Sequence, residues 1–171
     1  MKTIPTKINK YNVYNQGNRL LGTGDEVTLP SFEASSETVS GAGVLGEFDD
    51  PTVGYFSNME LEIPFRVLDQ EAVDMLDQTR AVQLELRGAQ QTTDASGDIE
   101  FRPMRVVVRG RMAGFDPGKV KAGNGMETSV KLTILYILIE LEDQPMVELD
   151  KINEVFKIRG VDVLAKIKEM C

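Results

Sequence analysis

The chain has 171 residues, with 19 Lys and Arg against 27 Asp and Glu, no histidine, no tryptophan and one cysteine, Cys171. That length suits one domain over residues 1–171 built on one core, and no apolar run approaches the roughly 20 residues that span a bilayer. A lone thiol makes neither an intramolecular disulfide nor a Cys-rich metal site, and the missing histidine removes the commonest general base and the usual zinc ligands.

In chain order the signals are mostly period two. Tyr11 and Val13 alternate with Lys10, Asn12 and Tyr14 before the turn-forming Asn15-Gln16-Gly17-Asn18, which predicts a hairpin. Val27-Thr28-Leu29 is a short strand stopped by Pro30. Ser31 to Gly54 carries no period and reads as a long loop, functional or disordered when alone. Met59, Leu61, Ile63 and Phe65 share one strand face, with Glu60 and Glu62 on the other. Val73 and Leu76 suggest a short helix over 71–79, and Val82, Leu84 and Leu86 alternate with Gln83, Glu85 and Arg87 as a half-exposed strand. Ala89–Gly97 reads as a polar loop, Met104–Arg109 as a Val-rich strand and Ala113–Asn124 as a second long loop. Val130–Leu141 is the strongest strand, apolar on both faces in its middle, so that neither face is expected to meet water in the final state. Residues 152–158 fit a strand or a helix equally. After Gly160, residues 161–170 read as an amphipathic helix with Val163, Leu164 and Ile167 inward.

Charge is unevenly distributed. Asp25–Glu100 holds seventeen acids and three bases, leaving the remainder of the chain at +6 within a total of −8. Separated charge steers and registers a repeating contact between copies, unless the two segments interleave in space and the asymmetry averages out.

No motif specifies catalysis, a cofactor or a metal. Gly41-Ala42-Gly43-Val44-Leu45-Gly46 matches a dinucleotide-binding pattern, but no apolar strand precedes it and Pro51 follows too soon for the helix that would hold a pyrophosphate. Those glycines read instead as flexible backbone in an interaction loop. Glu60 and Glu62 alternate on a strand as a solvated face would, and Asp94–Asp98 lacks the closing Glu of a calcium loop. Arg102, Arg105, Arg109, Arg111, Lys119 and Lys121 form a basic cluster inside an acidic chain, which suits contacts between subunits better than nucleic-acid binding.

Several stretches, taken in order, resemble the major tail tube proteins of contractile-tailed phages and of the phage-tail-like (R-type) bacteriocins. They are Asn12-Val13-Tyr14 with Gly17 and Gly22, Val27–Pro30, Gly41-Ala42-Gly43 with Gly46-Glu47, and Val108-Arg109-Gly110-Arg111. Gly118-Lys119 through Glu127, Tyr136-Ile137-Leu138, and Glu148-Leu149-Asp150 with Asn153 and Gly160–Leu164 follow. The chain departs at Asp143-Gln144, where a glycine is usual, and at its close on Glu169-Met170-Cys171.

The resemblance implies a mainly β fold, a β-sandwich or rolled barrel with one or two short helices. Six copies would form a ring with a continuous inner β-barrel, and rings would stack into a tube. It implies a structural, non-enzymatic role in the virion tail or tail-like particle. Partners would be further copies, the sheath, the tape-measure protein and a baseplate initiator, with DNA only as passing cargo and no membrane. The opening Met1-Lys2-Thr3-Ile4-Pro5 lacks a secretory apolar stretch, which places synthesis and assembly in the host cytoplasm. Residues 31–54 are expected to reach the adjacent ring. Gly41, Gly43, Gly46, Arg109, Arg111, Lys119 and Lys121 are the expected inter-subunit contacts, and Glu60, Glu62 and Glu85 the expected lumen-facing acids. A tube of the related type VI secretion system and a small-ligand-binding β-barrel are the alternatives.

Overall fold

The computed structural model describes residues 2–171. Strand β1 (Ile4–Asn15) returns as β2 (Asn18–Arg19) through Gln16-Gly17, whose φ angles of 48° and 86° suit a tight two-residue turn. Strands β3 (Ala34–Ser40) and β4 (Glu47–Phe56) pair only with each other. Strand β5 (Glu60–Phe65) leads to helix α1 (Gln70–Asp74), whose first N–H is capped by Asp69. Strands β6 (Val82–Thr93), β7 (Ile99–Asp116), β8 (Thr128–Leu141) and β9 (Gln144–Asp150) run as an antiparallel meander. Short β10 (Val155–Ile158) and β11 (Val161–Asp162) precede helix α2 (Ala165–Met170).

Nine strands form one sheet in the order β11-β10-β9-β8-β7-β6-β1-β2, with β5 also paired to β8. Strand β8 is the hub. Along one edge it pairs with β7, and along the other its first half meets β5 and its second half β9. Within the single chain only one of its faces is buried, through Val130, Leu132, Ile134 and Ile137, while Tyr136 and Leu138 on the other are only half-buried. Leu61, Ile63, Leu84, Val106, Val108, Val130 and Leu132 are fully buried on the core side. Each such side chain stabilises the fold by about 1.5–3 kcal/mol, more than an exposed ion pair contributes. At Gly110 the backbone of β8 comes so close that a Cβ would strike the Thr133 carbonyl oxygen, beside a bulge in the β7–β8 register.

The structure alters several sequence expectations. Residues 31–54 are not irregular; they contain most of the β3–β4 hairpin. No residue of either strand is buried, so neither face had to be apolar and the alternation that marks a strand never arose. The polar tract 89–97 is strand as far as Thr93, because β1 and β7 flank it on both sides. Residues 113–116 are strand as well. Val27–Leu29 makes one isolated bridge, Thr28 to Glu62. Helix α1 ends earlier than its pattern suggested and buries Ala72, leaving Val73 half exposed. The ambiguous stretch resolves as a turn followed by β10. The C-terminal helix begins at Ala165, and Val163 and Ile167 remain 39% and 45% exposed, Ile167 lining an open groove beside β4. Only Leu164 turns in, against Gly54.

Candidate functional site

Three surfaces carry the residues singled out by sequence: the outer sheet face, the β3–β4 hairpin and the loop after β7.

On the outer face, cross-strand register sets ion pairs side by side. Glu85, Val107, Leu138 and Glu148 are successive neighbours across four strands, as are Arg87, Arg105 and Glu140 across three. The Glu85 carboxylate accepts from Arg87 at 2.6 Å and from Arg105 at 2.7 Å, and Arg105 also donates to Glu140 at 2.7 Å. The hydrogen bond from Arg87, then that from Arg105, holds the Glu85 carboxyl below its usual range against the upward push of burial. The Arg87 guanidinium lies 4.6 Å from the centre of the Tyr14 ring. A similar arrangement recurs four residues beyond Arg105 on β7: Arg109 stacks 4.7 Å from Tyr136 and reaches Asp150 at 3.4 Å. Burial would raise the Asp150 carboxyl, but hydrogen bonds from Asn153 and Ile152 bring it below its ordinary value.

Glu60 and Glu62 lie on the same outer side, exposed, with Glu60 3.8 Å from Lys131 and Glu62 opposite it in register. All three candidate acids thus project away from the core. Glu85, however, is not a bare carboxylate but the centre of a neutralised lattice. Arg87 is two residues away, but Arg105 lies 20 residues on and its second partner Glu140 a further 35, so that only strand register reveals the lattice.

Gly41, Gly43 and Gly46 all fall in the turn joining β3 to β4, with φ of 128°, 91° and 96°. Leu45 stands at this tip, fully exposed. The root of the hairpin is rigid by contrast. Phe32, Phe56 and Phe156 stack edge to face at 5.7 and 5.1 Å, and the Lys151 ammonium donates to the carbonyls of Phe56 and Ser57. Burial lowers the Lys151 pKa. Sequence reading missed this anchor, since its aromatics are scattered through 125 positions.

The basic candidates separate into two groups. Arg102, Arg105 and Arg109 are paired within the chain. Arg111, Lys119 and Lys121 are exposed and make no ion pair among the described residues.

Sequence comparison identifies the relatives of this arrangement. The family described as "Phage tail tube protein FII" matches residues 5–170. The chain belongs to this family. It is 29% identical to the tail tube protein of Escherichia phage P2, covering 94% of both chains. With the major tail tube protein of Serratia phage KSP20 it shares 24% identity over 92% of this chain and 90% of that one. The match takes in the hairpin, the outer lattice and the basic loop together, so all three surfaces lie within the tail tube family's shared extent.

Proposed function

We propose that the protein is a structural subunit of the inner tail tube of a contractile phage tail or tail-like bacteriocin, polymerising as stacked hexameric rings around a hollow conduit for DNA or ions. The near full-length family match carries this reading. The surface supports it in two places. Between Ile4 and Asn12 the outer edge of β1 has no strand partner among the described residues, and an unprotected edge of this length invites pairing with another chain. The β3–β4 hairpin buries none of its residues and ends on an exposed leucine, which suits a contact made to another copy.

In this reading the edge of β1 pairs laterally within a ring and the hairpin reaches the adjacent ring. Glu60, Glu62 and the paired lattice around Glu85 line the conduit, presenting acids and neutral ion pairs to which phosphates do not adhere. The sheath covers the outside, the tape-measure protein occupies the lumen during assembly, and the baseplate supplies the first ring. Purified protein brought to high concentration tests the proposal by sedimentation and negative-stain microscopy. Rings and hollow tubes are expected; a chain that stays monomeric at every concentration refutes it.

A further inference from the structure

We infer that the β3–β4 hairpin of one copy docks on an apolar loop cluster, bearing three bases without ion pairs among the described residues, beyond the opposite end of β5 in the next copy. The inference rests on the tube reading and names the surface that receives the hairpin. Three backbone hydrogen bonds build that surface: Arg66 N–H to Gly22 C=O at 2.9 Å, Met126 N–H to Arg66 C=O at 2.6 Å, and Lys119 N–H to Met126 C=O at 2.7 Å. Gly118 closes the cluster with φ of 82°, where a Cβ would run into the Met126 carbonyl. Leu21, Val67 and Val120 expose 66%, 52% and 90% of their surface there. Arg66, Lys119 and Lys121 stand exposed among them without an ion pair among the described residues. Acids share this surface: Asp69 and Asp116 accept hydrogen bonds from backbone N–H groups of Gln70 and Gly118, and exposed Glu127 follows Met126 directly at φ 57°.

The hairpin is the complement. From Glu33 to Phe56 it holds five acids and no base, with Leu45 at the tip and Phe48, Val53 and Tyr55 exposed along it. Geometry sets the direction of the contact. The hairpin root closes through Ser57 N–H to Glu33 C=O just before β5, and the cluster begins at Arg66 just after it. The hairpin root and the acceptor cluster therefore lie at opposite ends of one strand, about 20 Å apart, and β3 is long enough to carry the tip about 23 Å from its root. Two different patches at opposite ends make a head-to-tail contact that repeats without closing. The groove beside the hairpin's own root is the poorer acceptor, because Leu164 packs there against Gly54, and its two bases, Lys151 and Lys168, are already bonded to the Phe56 and Ser57 carbonyls and to Asp162. Exposed ion pairs add little each, so the apolar side chains hold the contact and the charges orient it.

The test uses the full chain with Cys171→Ser, Leu45→Cys and Val120→Cys, treated with a short bismaleimide. Assembled tubes are expected to give a ladder of cross-linked copies and dilute monomer none. Tubes that form with both thiols unlinked overturn the contact while leaving the tube reading intact. Lys119→Glu with Lys121→Glu is expected to leave a folded subunit that forms rings but loses stacking, and adding Glu47→Lys with Asp49→Lys restores it. Normal stacking by the Lys119→Glu, Lys121→Glu protein overturns the contact too. A wild-type chain that never assembles overturns the tube reading, and this contact with it.

Discussion

Replacing Glu85 by Gln removes the anion on which Arg87 and Arg105 converge, while keeping the shape of the side chain. The Glu85 side chain is only 17% exposed, whereas those of Arg87 and Arg105 are 57% and 42% exposed. A hydrogen bond to a charged group contributes about 1.5–3 kcal/mol when well shielded, but these arginines are half in water and each bond must be discounted for screening. Arg105 also keeps Glu140 as a partner. The expected loss is therefore about 1–2 kcal/mol at neutral pH, a fall in Tm of about 2–8 °C for a chain of this size. The pH dependence gives the sharper test. The carboxyl of Glu85 is lowered in the folded state, first by the hydrogen bond from Arg87 and then by that from Arg105. Its stabilisation is thus fully present above the ordinary glutamate value of about 4.3 and is lost as pH falls through the lowered folded value. Urea melts of the dilute subunit should show the wild type ahead of Glu85→Gln at neutral pH, with the gap closing below about pH 4. A gap absent at neutral pH, or unchanged in acid, refutes the claim that the lattice is an ionic element of the fold.

Leu132, fully buried where β8 meets both β5 and β7, should cost about 2–5 kcal/mol when replaced by Ala, measured by the same melts. Leu45→Ser, at a fully exposed tip, should change subunit stability by no more than about 0.5 kcal/mol yet slow tube growth followed by light scattering. Amide hydrogen exchange across Ser36–Asp50 should be fast in the dilute subunit and slow in the assembled state, since this part of the hairpin pairs only with its own other strand and holds no buried residue; equal protection in both states counts against an assembly role. Arg111→Glu, which breaks no ion pair among the described residues, should leave the melt unchanged, whereas Arg109→Glu removes a partner of Asp150 and Tyr136 and should lower it.

Strands that face the core on one side were legible. Leu61, Ile63 and Phe65 alternate with Glu62 and Pro64 because one face is buried and the other is not. The β1–β2 turn was legible for a different reason: Gln16-Gly17 meets a backbone requirement at φ above zero. The same requirement falls on Glu142 and Asp143, with φ of 52° and 60°, so the β8–β9 turn forms without the glycine usual there. The β3–β4 hairpin was hidden because a strand exposed on both faces keeps no hydrophobic period, and its glycines and acids resemble those of a loop. Composition set the segment apart from the rest of the chain, but its shape could not be read from it. Arg109 and Arg111 illustrate a second limit. They look equivalent in sequence, yet the β8–β9 register sets Asp150 opposite Tyr136 and within reach of Arg109, and leaves Arg111 without an ion pair among the described residues. Pairing between distant strands, not local pattern, decides which charges remain available to a neighbouring copy.

Cryo-electron microscopy of the assembled protein tests the central claim most directly. End-on averages should show six copies around an open lumen, with one sheet running continuously from subunit to subunit and the face bearing Glu85, Arg105 and Glu140 turned inward. A closed particle without a lumen, or copies joined without pairing of strand edges, would contradict it.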